Sequence, residues 1–190
     1  MSHSADVDID FGKRTDVLKL LKHIPAKRKD GVKHNSGVYV QPIPIDPLTG
    51  YANLDYHEAD ERGYFKLDFL NVGIYTHIKD PAHYEQLLST EPPWHRLKEA
   101  AFVEKIDQLS NYVDEVSALL PDTIPRLAMF IAAIRPAKRH LLGKTWEEMA
   151  KTIWEKPEGK TGYYFKHAHS ISYAKLVALH MNIVNESKLS

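Results

Sequence analysis

The hydrophobic periodicity changes part-way along the chain, and this change constrains the fold more than any other feature. Up to about residue 80, apolar residues come in short alternating runs that proline and glycine interrupt, as in SGVYVQPIPI and RGYFKLDFL. Such runs are typical of β-strands. From residue 94 onward, apolar residues recur at helical spacing. Strands early and helices late predict an α+β fold, with residues 1–80 and 81–190 as two parts of one compact unit.

Caps and prolines place the individual helices. RTDVLKLLKHI has a one-sided apolar stripe and predicts a helix that ends at Pro25. Residues 94–120 are predicted to be mostly helical, and PDTIPRLAMFIAAI predicts a buried helix that ends before Pro136. In TWEEMAKTIWE, Thr145 and Glu148 have the spacing of a capping box. HSISYAKLVALHMNIV predicts a final helix.

Charge is balanced over the whole chain but not along it. The 25 basic and 25 acidic residues give a formal charge of zero, so no general attraction to polyanions follows. Residues 11–34 contain eight Lys or Arg against two acids, residues 46–122 contain six against fifteen, and residues 135–175 contain nine against four. Either phosphate binding or an ordinary solvated surface accounts for the two basic segments.

The chain contains no cysteine, which excludes disulfides and thiolate metal sites and fits a reducing cytosol. No apolar run approaches the roughly 20 residues that span a bilayer. The first residues, MSHSADVD, lack the basic and apolar regions of a signal peptide. We therefore expect a cytoplasmic protein without a membrane partner.

Acidic and apolar residues alternate in the segment DVDIDF near the start of the chain. In a strand, Asp6, Asp8 and Asp10 would share one face, with neighbouring acids about 6–7 Å apart. Like charges in this arrangement repel one another unless a partner is present. Two interpretations are open: a frayed, solvated N-terminus, or a site at which carboxylates bind Mg²⁺ or Mn²⁺.

A further acid, Asp68, interrupts the apolar run YFKLDFL. A carboxylate in such a strand costs free energy unless it is paired or bound to a metal. Lys66, on the same face, would neutralise it in a structural salt bridge. Alternatively, Asp68 joins Asp8 and Asp10 at one edge of a sheet. Three carboxylates are then the minimum for a two-metal site, in which ions about 3.5–4 Å apart assist phosphoryl transfer.

Five stretches resemble, in the same order, motifs of the C-family bacterial replicative DNA polymerases, which include the alpha subunit of DNA polymerase III. They are DVDIDF, KHNSGVYV, YFKLDFLNV, IAAIRPAKR and FKHAHSISYA. The resemblance extends from Asp8 to about Val177. It implies a small nucleotidyltransferase-like palm sheet followed by a mostly helical, fingers-like C-terminal part. It also implies two Mg²⁺ or Mn²⁺ ions, a nucleoside triphosphate and DNA as partners, and a replication protein as a further partner.

The resemblance assigns roles to individual residues. Asp8, Asp10 and Asp68 match the three metal-binding aspartates of the family. Lys66 matches a basic residue beside these aspartates, and a catalytic role is predicted for it. The residues that match positions near the incoming nucleotide and its phosphates are His34, Gly37, Arg135, Lys166 and His169.

The chain also departs from the family. Only residues 11–33 stand where the family has its thumb domain, and the family's phosphoesterase, clamp-binding and oligonucleotide-binding regions have no counterpart. Ala137 replaces the glycine that follows Arg-Pro, Asn71 replaces the glycine after Asp-Phe-Leu, and residues 166–168 read Lys-His-Ala instead of Asn-Lys-Ser. The metal site therefore matches the family more fully than the nucleotide site does.

The sequence predicts a minimal two-metal nucleotidyltransferase that transfers a nucleotide from a nucleoside triphosphate to a hydroxyl on DNA. Two alternatives stay open. One is a non-catalytic relic that binds DNA or a protein of the replisome. The other is a metal-dependent phosphodiesterase, in which water takes the place of the attacking hydroxyl.

Overall fold

The computed structural model describes residues 7–157 and 164–187. The chain forms two compact units, Met1–Lys79 (unit 1) and Asp80–Ser190 (unit 2). Unit 1 contains a four-stranded mixed sheet, and the described part of unit 2 consists of helices and turns. The predicted α+β class is confirmed.

The sheet of unit 1 has the strand order β1-β4-β3-β2. Its strands are β1 (Val7–Phe11), β2 (Ile24–Lys27), β3 (Lys33–Tyr39) and β4 (Leu67–Asn71). β1 runs parallel to β4, whereas β3 is antiparallel to both β4 and β2. Helix α1 (Arg14–Leu18) connects β1 to β2, helix α2 (Tyr56–Glu61) lies between β3 and β4, and a 3₁₀ turn (Gly73–His77) follows β4. The predicted residue Asp6 lies outside the described residues.

Alternation along β1 and β4 separates an apolar face from a polar one. Phe11 and Phe69 contact each other edge-on, with ring centroids 5.2 Å apart. Side chains alternate along a strand, so the even-numbered acids of β1 lie on the opposite face. A small core of unit 1 is formed by Ala26, Tyr39, Ile43, Ala52 and Ala59, all of which are buried.

The first helix is shorter than predicted. It ends at Leu18 and buries none of its residues, and Leu20 in the predicted stripe is 86% exposed. Ile24 belongs instead to β2 and pairs with Tyr39 of β3. An apolar stripe forms a stable helix only where another element covers it. Here Ile24, at the end of the stripe, is instead partly buried in the sheet through strand pairing.

Unit 2 is built around two packed helices, α6 (Ile124–Ala133) and α8 (His167–Glu186). Its other helices are α3 (Pro81–Ser89), α4 (Ala100–Val103), α5 (Val113–Leu119) and α7 (Trp146–Thr152), with 3₁₀ turns at Trp94–Lys98 and Pro136–Leu141. The capping box at Thr145 and Glu148 is present, as predicted. No helix in residues 7–157 or 164–187 is long and apolar enough to cross a membrane.

Residues 94–120, which were predicted to be mostly helical, form three short helical segments instead of one continuous helix. The segment contains a 3₁₀ turn, the four-residue helix α4 and the separate helix α5. Gln108, in the turn between α4 and α5, has a φ of 72°, which lies outside the helical region. Leu97, Ile106, Leu109 and Val116 of the predicted stripe are nevertheless fully buried. The apolar pattern therefore identified the core correctly, although the backbone between its members turns.

Candidate functional site

The parallel pairing of β1 and β4 brings the predicted aspartates to neighbouring strands. Asp8 lies directly opposite Asp68 in the register, and Asp10 lies opposite Leu70. Adjacent strands are about 4.8 Å apart, and residues in register point to the same face. Asp8, Asp10 and Asp68 consequently share one face of the β1–β4 pair, as the carboxylate-site hypothesis requires.

The carboxylate of Asp68 is buried, and both of its oxygens accept hydrogen bonds. Lys66 donates from Nζ to Oδ2, and Ser36 of β3 donates from Oγ to Oδ1 at 2.6 Å. The Nδ1 atom of His34 lies 3.6 Å from Oδ1. We refer to Asp68, Lys66, Ser36 and His34 as the Asp68 cluster. The predicted neutralisation of Asp68 by Lys66 is present in this cluster.

The charge state of Asp68 follows from two opposing effects. Burial disfavours the ionised carboxylate, whereas the hydrogen bonds from Lys66 and Ser36 and the positive charge of Lys66 favour it. The favourable contacts outweigh burial, and the pKa of Asp68 lies below its ordinary value. Asp68 is therefore an anion at neutral pH, held in one orientation by its donors.

Gly37 allows the cluster to close around Asp68. It is the partner of Asp68 in the β3–β4 pairing, and its N–H donates to Nδ1 of His34 at 2.9 Å. A Cβ atom at this position would lie 2.8 Å from Cδ of Lys66 and 2.9 Å from Nδ1 of His34. Both distances are too short for a carbon atom, so only glycine permits this approach. The glycine of the KHNSGVYV motif thus has a steric role here.

The two aspartates of β1 differ from Asp68 because both are exposed. Neither carboxylate forms a hydrogen bond or ion pair with any residue in the described ranges. The pKa of Asp10 is raised by partial burial and by the negative charge of Asp8. This repulsion between neighbouring carboxylates is the electrostatic condition that a bound cation relieves.

The donors at this face fit the predicted ions in their chemistry. Carboxylate oxygens are the ligands that Mg²⁺ and Mn²⁺ prefer. Within the part of the chain that the structure describes, no group of three or more His, Cys, Asp or Glu side chains is arranged as a metal site. Asp8 and Asp10 would supply the accessible oxygens, while Asp68 would share an oxygen that already accepts from Lys66 or Ser36.

In unit 2, two of the predicted phosphate-binding residues, Arg135 and His169, lie near the buried ring of Phe165. The guanidinium of Arg135, just after α6, lies over this ring at 4.1 Å, and its Nη2 atom donates to Oε1 of Gln108 at 2.8 Å. Lys166 directly precedes α8 and is exposed. His169, in the first turn of α8, has its ring centroid 6.4 Å from that of Phe165. Arg135 and His169 thereby lie near the same ring, and Lys166 follows Phe165 directly in the chain.

Sequence reasoning missed Ser36. It occupies a position of the KHNSGVYV motif that the resemblance leaves open, so the comparison of motifs assigned it no role. One sequence feature could have identified it: Ser36 directly precedes Gly37, the only glycine of its strand. A hydroxyl side chain at such a position can reach the neighbouring strand. Its hydrogen bond to Asp68 makes it a member of the site.

Comparisons of the chain with protein-family models, with curated proteins and with solved structures found no match. The support for a function therefore comes from the geometry of the two units. Unit 1 provides three aspartates on one face of neighbouring strands, and unit 2 provides Arg135 and His169 near the ring of Phe165.

Proposed function

We propose that the chain is a metal-dependent nucleotidyltransferase, which transfers a nucleotide from a nucleoside triphosphate to a hydroxyl on DNA. The register of β1 and β4 carries this proposal, because it places Asp8 opposite Asp68 and puts Asp10 on the same face. Carboxylates on adjacent strands are suited to holding two divalent ions for phosphoryl transfer. The resemblance to C-family polymerases adds support, with unit 1 as a palm-like sheet and unit 2 as a fingers-like part.

The proposed reaction is a displacement at the α-phosphorus. The hydroxyl oxygen forms a bond to this phosphorus, the bond from the phosphorus to the bridging oxygen of the β-phosphate breaks, and pyrophosphate leaves. The hydroxyl proton passes to solvent. Divalent ions, when bound, stabilise the negative charge that develops on the attacking and leaving oxygens.

The chain's own residues would orient the site. Asp8 and Asp10 offer exposed carboxylates, and Asp68 supplies a third one, fixed in orientation. Lys66 balances the charge of Asp68, and Ser36 fixes the position of Oδ1. Preorganised groups of this kind do not have to reorient during the reaction.

In unit 2, we assign phosphate binding to Arg135, Lys166 and His169. Contacts between Arg or Lys and phosphate oxygens are charge-assisted and strong. Gln108 and the ring of Phe165 already hold the guanidinium of Arg135 in place. Less side-chain entropy is then lost when a phosphate binds.

An incorporation assay tests the proposal. The protein is incubated with Mg²⁺ or Mn²⁺, labelled nucleoside triphosphates, and primed, unprimed or single-stranded DNA. We expect incorporation that is lost in Asp8→Asn and retained in Asp16→Asn. Asp16 is a matched control because it is an exposed acid of unit 1 in a surface pair with Lys19, and such pairs contribute little to stability. Incorporation that persists unchanged in Asp8→Asn contradicts the proposal.

One observation favours a second candidate, a non-catalytic DNA-binding module. The buried pair of Lys66 and Asp68 satisfies the carboxylate without a metal ion, as a purely structural role would require. In the same assay this candidate predicts no incorporation and a shift of DNA mobility that survives Asp8→Asn. Loss of DNA without added triphosphate would instead indicate the phosphodiesterase alternative.

A further inference from the structure

We propose that the turn between β2 and β3, together with the residues that enter β2, is a binding surface for the phosphate backbone of nucleic acid. We call residues 22–33 the basic hairpin. The inference deepens the proposed function and rests on it for the choice of nucleic acid as the polyanion. The evidence for a polyanion surface comes from the charges and contacts of the hairpin itself.

The local charge is strongly one-sided, although the whole chain is neutral. Residues 17–45 contain six Lys or Arg and a single acid, Asp30. A surface with this charge attracts phosphates at long range, and the attraction weakens as salt is added.

The one acid in this segment, Asp30, already forms contacts within the turn. Asp30 pairs with Nη2 of Arg28 at 2.7 Å and accepts the N–H of Val32 at 3.1 Å. Lys27 is also engaged, because its Nζ atom donates to the carbonyl oxygen of Asn53 at 2.5 Å. These contacts stabilise the turn. Outside the hairpin, the carboxylate of Asp55 lies close enough to Lys29 to interact with its charge.

Three lysines remain available to a partner. Lys22, Lys29 and Lys33 are exposed, and none forms an ion pair or side-chain hydrogen bond with a residue in the described parts of the chain. Lys33 stands directly opposite Lys27 in the β2–β3 register. Like charges in opposed positions of a strand pair are unfavourable, and a bound polyanion would relieve their repulsion.

The hairpin and the candidate site are linked by β3 within unit 1. Lys33 precedes Gly37, the register partner of Asp68, by four residues. Four residues of an antiparallel strand extend about 14 Å. One strand of a DNA duplex carries a phosphate about every 3.4 Å along the axis, so about four phosphates span this distance. A DNA end at the aspartates can therefore place its backbone at the lysines.

The test measures DNA binding in EDTA, without nucleoside triphosphate, so that catalysis plays no part. Fluorescence anisotropy of a labelled duplex is recorded from 50 to 200 mM salt for the full chain. With three phosphate contacts, the slope of log affinity against log salt is about −2.7, an affinity loss of about 40-fold across this range. The variant Lys29→Gln with Lys33→Gln should reduce the slope to about −0.9, a loss of about threefold to fourfold. Lys22→Gln alone should reduce it to about −1.8.

The matched control is Lys98→Gln with Lys105→Gln, which removes the same charge from exposed positions of unit 2. Its slope should equal that of the wild type. The proposal is overturned if the control and the hairpin variant change equally, if the wild type does not bind DNA, or if vesicles of anionic lipid bind more tightly than DNA. Because this binding assay contains neither divalent ions nor nucleoside triphosphate, a failed incorporation assay and a failed hairpin are distinguishable.

Discussion

Replacing Lys66 by methionine tests how far charge pairing holds the candidate site together. The side chains of Asp68 and Lys66 are only 9% and 10% exposed. Removal of one partner from a buried ion pair costs roughly 3–5 kcal/mol, because the other charge stays buried. Ser36 would still donate to Oδ1 of Asp68, so we expect the lower end of this range, about 3 kcal/mol for the unfolding of unit 1.

The assay has to report on unit 1. All three tryptophans, Trp94, Trp146 and Trp154, belong to unit 2, so their fluorescence does not follow the sheet. Hydrogen exchange of the backbone amides of β3 and β4 reports on the stability of the sheet directly. A loss of about 3 kcal/mol corresponds to an increase of more than about 100-fold in the exchange of these amides, if they exchange by unfolding of unit 1.

A double variant provides the control. When both members of a buried ion pair are replaced by apolar residues, the effect on stability is often small. Lys66→Met combined with Asp68→Leu should therefore exchange more slowly than Lys66→Met alone. The reasoning is refuted if Lys66→Met accelerates exchange by less than about tenfold, or if the double variant is no more stable than the single one.

Three further predictions concern the same face of the sheet. Gly37→Ala should destabilise unit 1 by roughly 1–3 kcal/mol, because the new methyl group displaces side chains of the Asp68 cluster. Gly73→Ala is the control and should change stability little, because no atom lies within 4 Å of the new carbon. Equal hydrogen exchange in the two variants would argue against the steric role of Gly37. Asp10→Asn should stabilise unit 1 near pH 7, because the raised pKa of Asp10 shows that its ionised form is unfavourable in the folded state. Urea unfolding at several pH values measures this gain in stability. The gain should shrink as the pH falls and Asp10 of the wild type becomes protonated. The lowered pKa of Asp68 has the opposite sign: its contribution is present above the pKa of the unfolded state and is lost as the pH falls through the folded pKa, so Asp68→Asn should cost stability near pH 7 but not in strong acid.

The core and the helix caps of unit 2 were predictable from sequence because both depend on local pattern. Thr145 and Glu148 form the capping box that their spacing predicts, and α6 ends before Pro136. The break at Gln108 was not predictable in this way. Its positive φ reflects the turn that lets short segments pack around a shared core, and no glycine or proline marks it in the sequence.

In unit 1, the alternation of acids predicted the face on which Asp8 and Asp10 lie, and the apolar run around Asp68 predicted its strand. Alternation cannot give the strand order, because the partner of β1 lies about sixty residues further along the chain. The same limit applies to Ser36. Its contact with Asp68 depends on the register of β3 against β4, which no local pattern specifies.

The position of β1 at one end of the sheet has a consequence for assembly. β2, β3 and β4 pair in chain order, whereas β1 must close a long loop to reach β4. Pairing of β1 with β4 would then be a late step in folding. β1 is also the strand that carries the two exposed carboxylates, Asp8 and Asp10. A shortened chain that begins after β1 should consequently present an acceptor edge on β4. A synthetic peptide carrying the sequence of the missing strand could complement it in trans and restore the acidic face.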